Sequence, residues 1–357
     1  MIKIAVNIKP LNSAHKDRGI GHYTSHLVEY LKKDESLEIK EFMDIDEIKD
    51  ANLVHYPWFD FYFHTLPLRR KIKTVVTIHD VIPLIYSVHY PAGFKGRINF
   101  YLQKLALRSV EAIITDSYSS KKDIIKYLKI KDELIHPILL AADENFKILP
   151  DSRLLNVKRK LNLPDQFLLY VGDANWVKNL PFLIEGFSRL KKNQLLSDLK
   201  LILVGGVFLK KLDNIDHPEL VSIKKVNSMI RDLKLDEDIL RPGKIDEYDL
   251  VALYNLTTLY VQPSFYEGFG LPVLEALSCG TPVLCSDRGS LKEVGGDAVV
   301  YFDPQNINQF VRLMEEILTS RSLQKKLSDL ALKQASNFSW KKVTKNTKDV
   351  YLEVLND

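Results

Sequence analysis

The chain is poor in the features that mark whole classes of protein. It holds two cysteines, Cys279 and Cys285, too few for a disulfide framework and suggestive of a reducing, cytoplasmic compartment. No apolar run reaches the roughly 18 uninterrupted residues that a membrane span needs. The opening run Met1–Ile8 lacks a signal-peptide h-region and reads as a first strand. The net charge of +4 is small and spread out, arguing neither for nor against nucleic acid, and no Lys/Arg block resembles a basic tail. No nucleic-acid partner is expected. There is no internal repeat of solenoid period and no low-complexity tract. His/Cys clusters of the kind that hold a metal are missing. The Asp-x-Asp runs Asp44-Ile45-Asp46 and Asp236-Glu237-Asp238 read as loop acids rather than as a divalent-cation site. Neither a cofactor nor a strictly required metal is expected.

What is present suits two globular domains. The 357 residues are 46% hydrophobic and 27% charged, ordinary values for a chain that buries two cores. Short apolar runs alternate with helix-period segments throughout. The predicted strands are Ile2–Ile8, Ile39–Met43, Asn52–Tyr56, Thr74–His79, Ala112–Thr115 and Leu134–Leu139, then Phe167–Val171, Lys200–Val204, Ile239–Arg241, Thr257–Val261, Pro282–Cys285 and Ala298–Phe302. That alternation is the pattern of parallel, doubly wound α/β sheets. The polar stretch Asp143–Pro164 reads as the linker. The predicted division is 1–150, 151–336 and a last helix, 337–357.

One run carries most of the chemistry, Gln262-Pro-Ser-Phe-Tyr-Glu267-Gly-Phe-Gly-Leu-Pro-Val-Leu-Glu275-Ala-Leu-Ser-Cys-Gly280-Thr-Pro-Val-Leu284. It reads as strand, loop, helix, strand. Pro272 suits the first helical turn and Gly280 the stop. Gly268 and Gly270 let the backbone bend sharply and let a ligand approach. The amides of Gly268, Phe269, Gly270 and Leu271 lead into a helix N-terminus, a natural anion site. Glu267 and Glu275 flank them, and a carboxylate accepts hydrogen bonds from sugar hydroxyls. Amides for a diphosphate beside carboxylates for hydroxyls suit a nucleotide-sugar. The plainer reading is a βαβ turn with a solvated helix.

This run resembles the Glu-x7-Glu signature of the retaining glycosyltransferases of family four, which have the GT-B fold. The resemblance implies two Rossmann-like domains facing a central cleft, an acceptor-side N-terminal one and a nucleotide-sugar-binding C-terminal one. It also implies that the last helix crosses back to the first domain, with Trp340 as a packing anchor.

Further segments extend the resemblance over nearly the whole chain. Asp17-Arg-Gly-Ile-Gly21-His-Tyr-Thr24 is similar to a Gly-Ile-Gly-x-Tyr loop whose second glycine lies against the donor phosphate, which assigns that role to Gly21. His79, in Thr77-Ile-His-Asp-Val-Ile-Pro83, matches a histidine near the donor sugar; by its chemistry it is a general base, a hydrogen-bond donor or a cap. Ser117 matches a serine close to the cleft, and equally an N-cap. Lys178, in Gly172-Asp-Ala-Asn-Trp-Val-Lys-Asn179, matches a lysine on the donor phosphate; a lysine there neutralises a diphosphate as a point charge. Val177 and Asp173 stand where relatives carry arginine. Lys244 and Ile245 match a loop against the nucleotide base.

The implied activity is transfer of a hexose, first of all mannose from GDP-mannose, to a glycan or lipid-linked acceptor in cell-surface polysaccharide or glycoconjugate synthesis. In it Glu267 holds hydroxyls of the transferred sugar and Glu275 the ribose. Lys178, Gly21 and the loop amides stabilise the leaving diphosphate. The rivals are a nucleotide-sugar epimerase, a dinucleotide-dependent oxidoreductase, disfavoured because no Gly-x-Gly-x-x-Gly follows Ile8, and an inactive sugar-binding protein. Lys95, Arg97, Lys104 and Arg108, with Phe94, Phe100 and Tyr101, make a basic, aromatic face. That face is either simply solvated or a peripheral contact with the inner face of a membrane.

Overall fold

The computed structural model describes residues 1–13, 16, 19–48, 50–210 and 220–356; Asp17 and Arg18 of the first glycine loop lie outside the described residues. Contacts divide the chain into two units, Met1–Ala141 with Phe338–Asp357, and Ala142–Asn337.

The first unit holds six strands: β1 (Ile2–Asn7), β2 (Leu37–Phe42), β3 (Leu53–Tyr56), β4 (Lys73–Thr77), β5 (Ala112–Thr115) and β6 (Ile135–Pro137). They form one sheet in the order β2-β1-β3-β4-β5-β6, and every pairing is parallel. Strands such as Ala112-Ile-Ile-Thr115 are buried along their whole length, as expected when helices cover both faces of a parallel sheet. Sequence reasoning carried β4 on to His79. The strand stops at Thr77, and His79 lies two residues beyond it.

The C-terminal helix Trp340–Asn356 belongs to this unit. Its Trp340 ring lies 4.9 Å from His26 and 5.9 Å from Tyr30. Lys348 bonds Asp34 at 2.7 Å, and the Lys73 ammonium donates to the Val354 carbonyl at 2.8 Å. Deeper in, His55 Nδ1 meets the Tyr351 hydroxyl at 2.6 Å and Nε2 meets Thr77 Oγ1 at 2.9 Å. Burial pushes His55 down to about 3, so its ring is neutral and serves as a polar tie between sheet and helix.

The second unit holds β7 (Phe167–Val171), β8 (Lys200–Val204), β9 (Ile239–Gly243), β10 (Leu259–Gln262), β11 (Val283–Ser286) and β12 (Val300–Phe302). The sheet order is β12-β11-β10-β7-β8-β9, again all parallel. The core joins Leu168, Leu201 and Leu203 to Phe187, Phe310 and Met314. Each such fully buried side chain contributes roughly 1.5–3 kcal/mol. The predicted linker packs here: Asn145 bonds Glu247 at 2.8 Å, and the Leu149 amide bonds Asn255 at 2.9 Å. The division therefore falls at Ala141/Ala142, nine residues before the position read from sequence.

The strand order in this unit positions the chemistry. The chain runs outward from β7 to β9, then returns to the other side of β7 as β10. β7 and β10 are neighbours at a topological switch point, where the chain changes direction across the sheet. In open α/β sheets, ligands bind outside the C-terminal ends of the strands at such a point.

Candidate active site

The loop after β7 ends in a turn at Trp176–Lys178 and leads into the helix Leu180–Leu190. The loop after β10 runs from Pro263 to Gly270 and leads into the helix Leu271–Ser278. Several contacts lock the two loops together. Trp176 stacks on Phe265 with centroids 4.7 Å apart, and the Phe265 amide donates to the Val177 carbonyl at 2.7 Å. Asn179 Nδ2 reaches the Pro263 and Pro304 carbonyls, each at 3.2 Å. Val177 is buried; where arginine was anticipated by resemblance, this chain places a core side chain.

Lys178 and Glu267 meet where these loops converge. The Lys178 ammonium donates to both Glu267 carboxylate oxygens, at 2.8 Å each. Gln262 Nε2 and the Ser264 hydroxyl also donate to Glu267 Oε1, at 2.7 and 2.6 Å. Gln262 is itself held by the Tyr260 hydroxyl, which donates to its Oε1. Gln262, Ser264 and Glu267 are all buried. A buried carboxylate is costly unless paired and hydrogen-bonded, and here it is both.

The backbone beneath Glu267 is clamped from a third loop. The Ser290 hydroxyl donates to the Glu267 carbonyl at 3.0 Å and to the Phe269 carbonyl at 2.6 Å. Beside it Gly289 has φ +60°, and a Cβ there would sit 2.5 Å from the Glu267 carbonyl oxygen. Any larger residue would push Glu267 out of place. Sequence reasoning did not single out Gln262, Ser264, Gly289 or Ser290 as site residues. The only signal was polar residues at strand and loop ends beside the motif.

Gly270 caps the motif helix with φ +103°, and Pro272 occupies its first turn. The helix opens at Leu271, so the amides of Gly268 to Leu271 run into its positive end. Glu275, one turn in, accepts from the Tyr254 hydroxyl at 2.8 Å. Burial pushes its carboxyl up to about 7; the Tyr254 bond pulls the other way, and Glu247 and Asp143 push further up. Lys244 is exposed and Ile245 half-buried, just past the end of β9. Cys279 and Cys285 are buried free thiols, and burial pushes both up, which leaves them unreactive.

The remaining predicted residues belong to the first unit. Gly21 is buried in the first turn of the helix Gly19–Lys32. Ser117 is the N-cap of the helix Tyr118–Leu128, accepting from the Ser120 amide at 3.0 Å. His79 has both ring nitrogens engaged, Nδ1 with Asp116 Oδ2 at 2.8 Å and Nε2 with the Pro57 carbonyl at 3.1 Å. Both ring nitrogens thus face oxygen atoms, a carboxylate and a backbone carbonyl. Burial opposes a positive charge on the ring, but Asp116 outweighs it and raises the pKa above the ordinary value. With both nitrogens taken up inside the first unit, the arrangement favours the structural reading of His79 over the base.

Of the acids considered for a metal, Asp44 caps a short turn and Asp238 pairs with Lys191 and Lys200 at 3.0 and 2.7 Å. Among the described residues no three His, Cys, Asp or Glu side chains cluster in a way that holds a metal ion. No helix among them is long and apolar enough to cross a membrane.

Comparison with known proteins places this architecture. Residues 152–334 match the model of the glycosyl transferases group 1, and residues 36–145 that of glycosyltransferase family 4. The serotype-specific mannosyltransferase WbdA of Escherichia coli is 34% identical over 75% of this chain. The chain spans about a third of that relative's length, 32%. The O-antigen chain mannosyltransferase B of Escherichia coli is 30% identical over 82% of this chain and 74% of its own. Among solved structures, the sucrose-phosphate synthase of Thermosynechococcus elongatus superposes with TM-score 0.78 over all of both chains at 17% identity. Anabaena HepE, solved in complex with UDP and glucose, superposes with TM-score 0.76 at 15% identity, covering 99% of this chain and 100% of its own. The fold is therefore GT-B, and the chain belongs to the glycosyl transferases of group 1, family four.

Proposed function

We propose that the protein is a retaining glycosyltransferase that moves a hexose, mannose from GDP-mannose, onto a glycan or lipid-linked acceptor in cell-surface polysaccharide synthesis. The observation that carries the reading is the Glu267 carboxylate. It is held by Lys178, Gln262 and Ser264 at the switch point, beside the N-terminal end of the motif helix. The names of the relatives, WbdA and the O-antigen chain mannosyltransferase B, support mannose as the sugar and an O-antigen-like glycan as the product.

In this reading Glu267 accepts hydrogen bonds from hydroxyls of the transferred sugar, and Glu275 accepts them from the ribose. The diphosphate lies against the amides of Phe269 to Leu271, within reach of Lys178, while the backbone at Lys244 and Ile245 borders the base. Negative charge grows on the leaving diphosphate in the transition state, so donors fixed in advance there lower the barrier most. Lys178 and the amides carry that charge, and the proposal includes no metal ion or other cofactor.

Retention admits two routes. Glu267 is poorly suited to a double displacement. Its Oε1 already accepts three donors and its Oε2 is bonded to Lys178, which drains its nucleophilicity. The front-face route fits better. The bond from the anomeric carbon to the phosphate oxygen breaks, with its electron pair leaving on the phosphate. The acceptor oxygen bonds the same face, and its proton passes to the departing phosphate.

The experiment is a donor screen with GDP-mannose and the other nucleotide-diphosphate hexoses on a mannan-type acceptor, with the anomeric configuration read by NMR. The reading predicts a product with the configuration of the donor. Release of free altered sugar without an acceptor would replace it with the epimerase.

A further inference from the structure

The two acids of the motif each hang on a buried tyrosine. Tyr260, on β10, donates from its hydroxyl to Gln262 Oε1, and Gln262 in turn donates to Glu267 at 2.7 Å. Tyr254 lies on the helix Glu247–Leu256, which leads into β10. Its hydroxyl donates to Glu275 Oε2 at 2.8 Å. The two rings pack against each other with centroids 5.5 Å apart, and both side chains are fully buried. A buried phenol needs a partner for its O–H. Here one phenol reaches a site acid directly and the other through Gln262.

Three neighbours fix Tyr254. Its ring lies between Tyr260 and Phe146, whose centroid is 5.8 Å away in an edge contact. The Thr281 hydroxyl donates to its backbone carbonyl at 2.6 Å. The phenol hydroxyl therefore has a set place, and the carboxyl bonded to it has a set orientation.

That bond divides the half-buried Glu275 carboxyl in two. Oε2 is taken by Tyr254. Among the described residues nothing bonds Oε1, and it is not one of the polar atoms sealed from solvent. One oxygen faces the protein and the other faces outward from the motif helix.

We infer that Tyr254 is a positioning residue for the ribose of the nucleotide: it anchors Glu275 Oε2 and leaves Oε1 to accept from the ribose hydroxyls. The inference rests on the donor-site reading proposed above. It makes the site selective for a nucleotide that carries those hydroxyls.

The same bond sets the pH at which the ribose is captured. An ionised carboxylate accepts on both oxygens, and protonation turns one of them into a donor. Burial pushes the Glu275 carboxyl up to about 7, the Tyr254 bond lowers it, and Glu247 and Asp143 raise it. Tyr254, Tyr260 and Cys279 are themselves kept neutral by burial. The helices Leu291–Gly295 and Arg321–Ala335 also pack on the motif helix, and among the described residues no lysine or arginine of either pairs with Glu275. The Tyr254 bond is thus the influence that favours the carboxylate.

The test is calorimetric titration of the full chain with GDP and with 2′,3′-dideoxy-GDP from pH 6 to 9. Beside it, carbon-13 NMR follows the Glu275 carboxyl in the ligand-free protein. The wild type should prefer GDP by about tenfold or more at pH 8 and lose that preference towards pH 6. Tyr254→Phe keeps the ring and removes only the hydroxyl. Its affinity for dideoxy-GDP should stay within about twofold, while the Glu275 titration and the ribose preference both move up by about one pH unit. In Glu275→Gln no proton can move, so adding Tyr254→Phe should shift nothing with pH. Circular dichroism checks the fold of each variant. A Tyr254→Phe profile that superposes on the wild type would overturn the inference. So would equal losses of GDP and dideoxy-GDP affinity, which would make Tyr254 a support of the fold alone. A wild type indifferent to the ribose hydroxyls would overturn the ribose role together with the placing of Glu275 in the donor site. In that case the NMR titration would still move, which tells the two failures apart.

Discussion

Lys178 and Glu267, 89 residues apart in the chain, form an ion pair in which one ammonium contacts both carboxylate oxygens at 2.8 Å. The pair exists because β7 and β10 are neighbours while their following loops belong to different crossovers. In the proposed reading this lysine also meets the incoming diphosphate. Lys178→Ala is expected to weaken GDP binding by about 10–100-fold. It also leaves the buried Glu267 without its counter-charge, at a cost of about 2–3 kcal/mol of stability. Calorimetric titration and thermal melts read the two effects separately. Unchanged nucleotide affinity would remove Lys178 from the donor site.

Gln262 and Ser264 both donate to Glu267 Oε1 and so fix the direction of its carboxylate. Gln262→Ala should lower kcat about tenfold or more while GDP affinity stays within about twofold, because the lost bond orients only the sugar-binding carboxylate. If GDP affinity fell in step with kcat, Gln262 would be supporting the whole loop and not Glu267 alone.

Glu275 sets a pH dependence. Burial raises its carboxyl to about 7, above the ordinary 4.5, so between those values the folded state holds a proton that the unfolded state has lost. Stability therefore falls as pH rises through that window. Glu275→Gln should be more stable than the wild type at pH 8, by about 1–3 kcal/mol, and show no such advantage at pH 4. In the same window the affinity for GDP should rise with pH in the wild type, since ribose hydroxyls need the ionised carboxylate. A flat binding profile across pH 6–8 would dissociate Glu275 from the nucleotide.

The pair of His79 and Asp116 titrates in the same direction, in a window that begins higher. The pKa of His79 is raised above its unfolded value. Its contribution is thus fully present below about 6.5 and lost as pH rises through the folded value. Asp116→Asn should cost about 1–3 kcal/mol in mildly acidic buffer and less in alkaline buffer. Thermal melts of both proteins from pH 5 to 9 check this, and a gap that does not narrow with pH would mean the pair is held as neutral groups.

Much of this was legible in the sequence. All twelve strands lie within two residues of their expected positions at most ends, because continuous apolar runs between glycines and prolines leave little choice. The motif loop, its helix and its stop at Gly280 also followed from local chemistry. What could not be read was adjacency. The partners Lys178 and Glu267, His79 and Asp116, and His55 and Tyr351 depend on sheet order and on the docking of the last helix, neither of which leaves a mark on local spacing. Nothing in the segment of Gly289 and Ser290 reveals that the Glu267 backbone lies against them. His79 looked free to act as a base because nothing in its own segment reveals that Pro57 and Asp116 occupy both ring nitrogens.

The most direct test is the turnover of Glu267→Ala with the donor and acceptor that the wild type uses, alongside its circular dichroism spectrum. A carboxylate that holds the transferred sugar predicts loss of transfer by about a thousandfold or more, several kcal/mol of transition-state stabilisation, with the native spectrum kept. Undiminished turnover in a folded Glu267→Ala protein would contradict the assignment of this loop as the donor site.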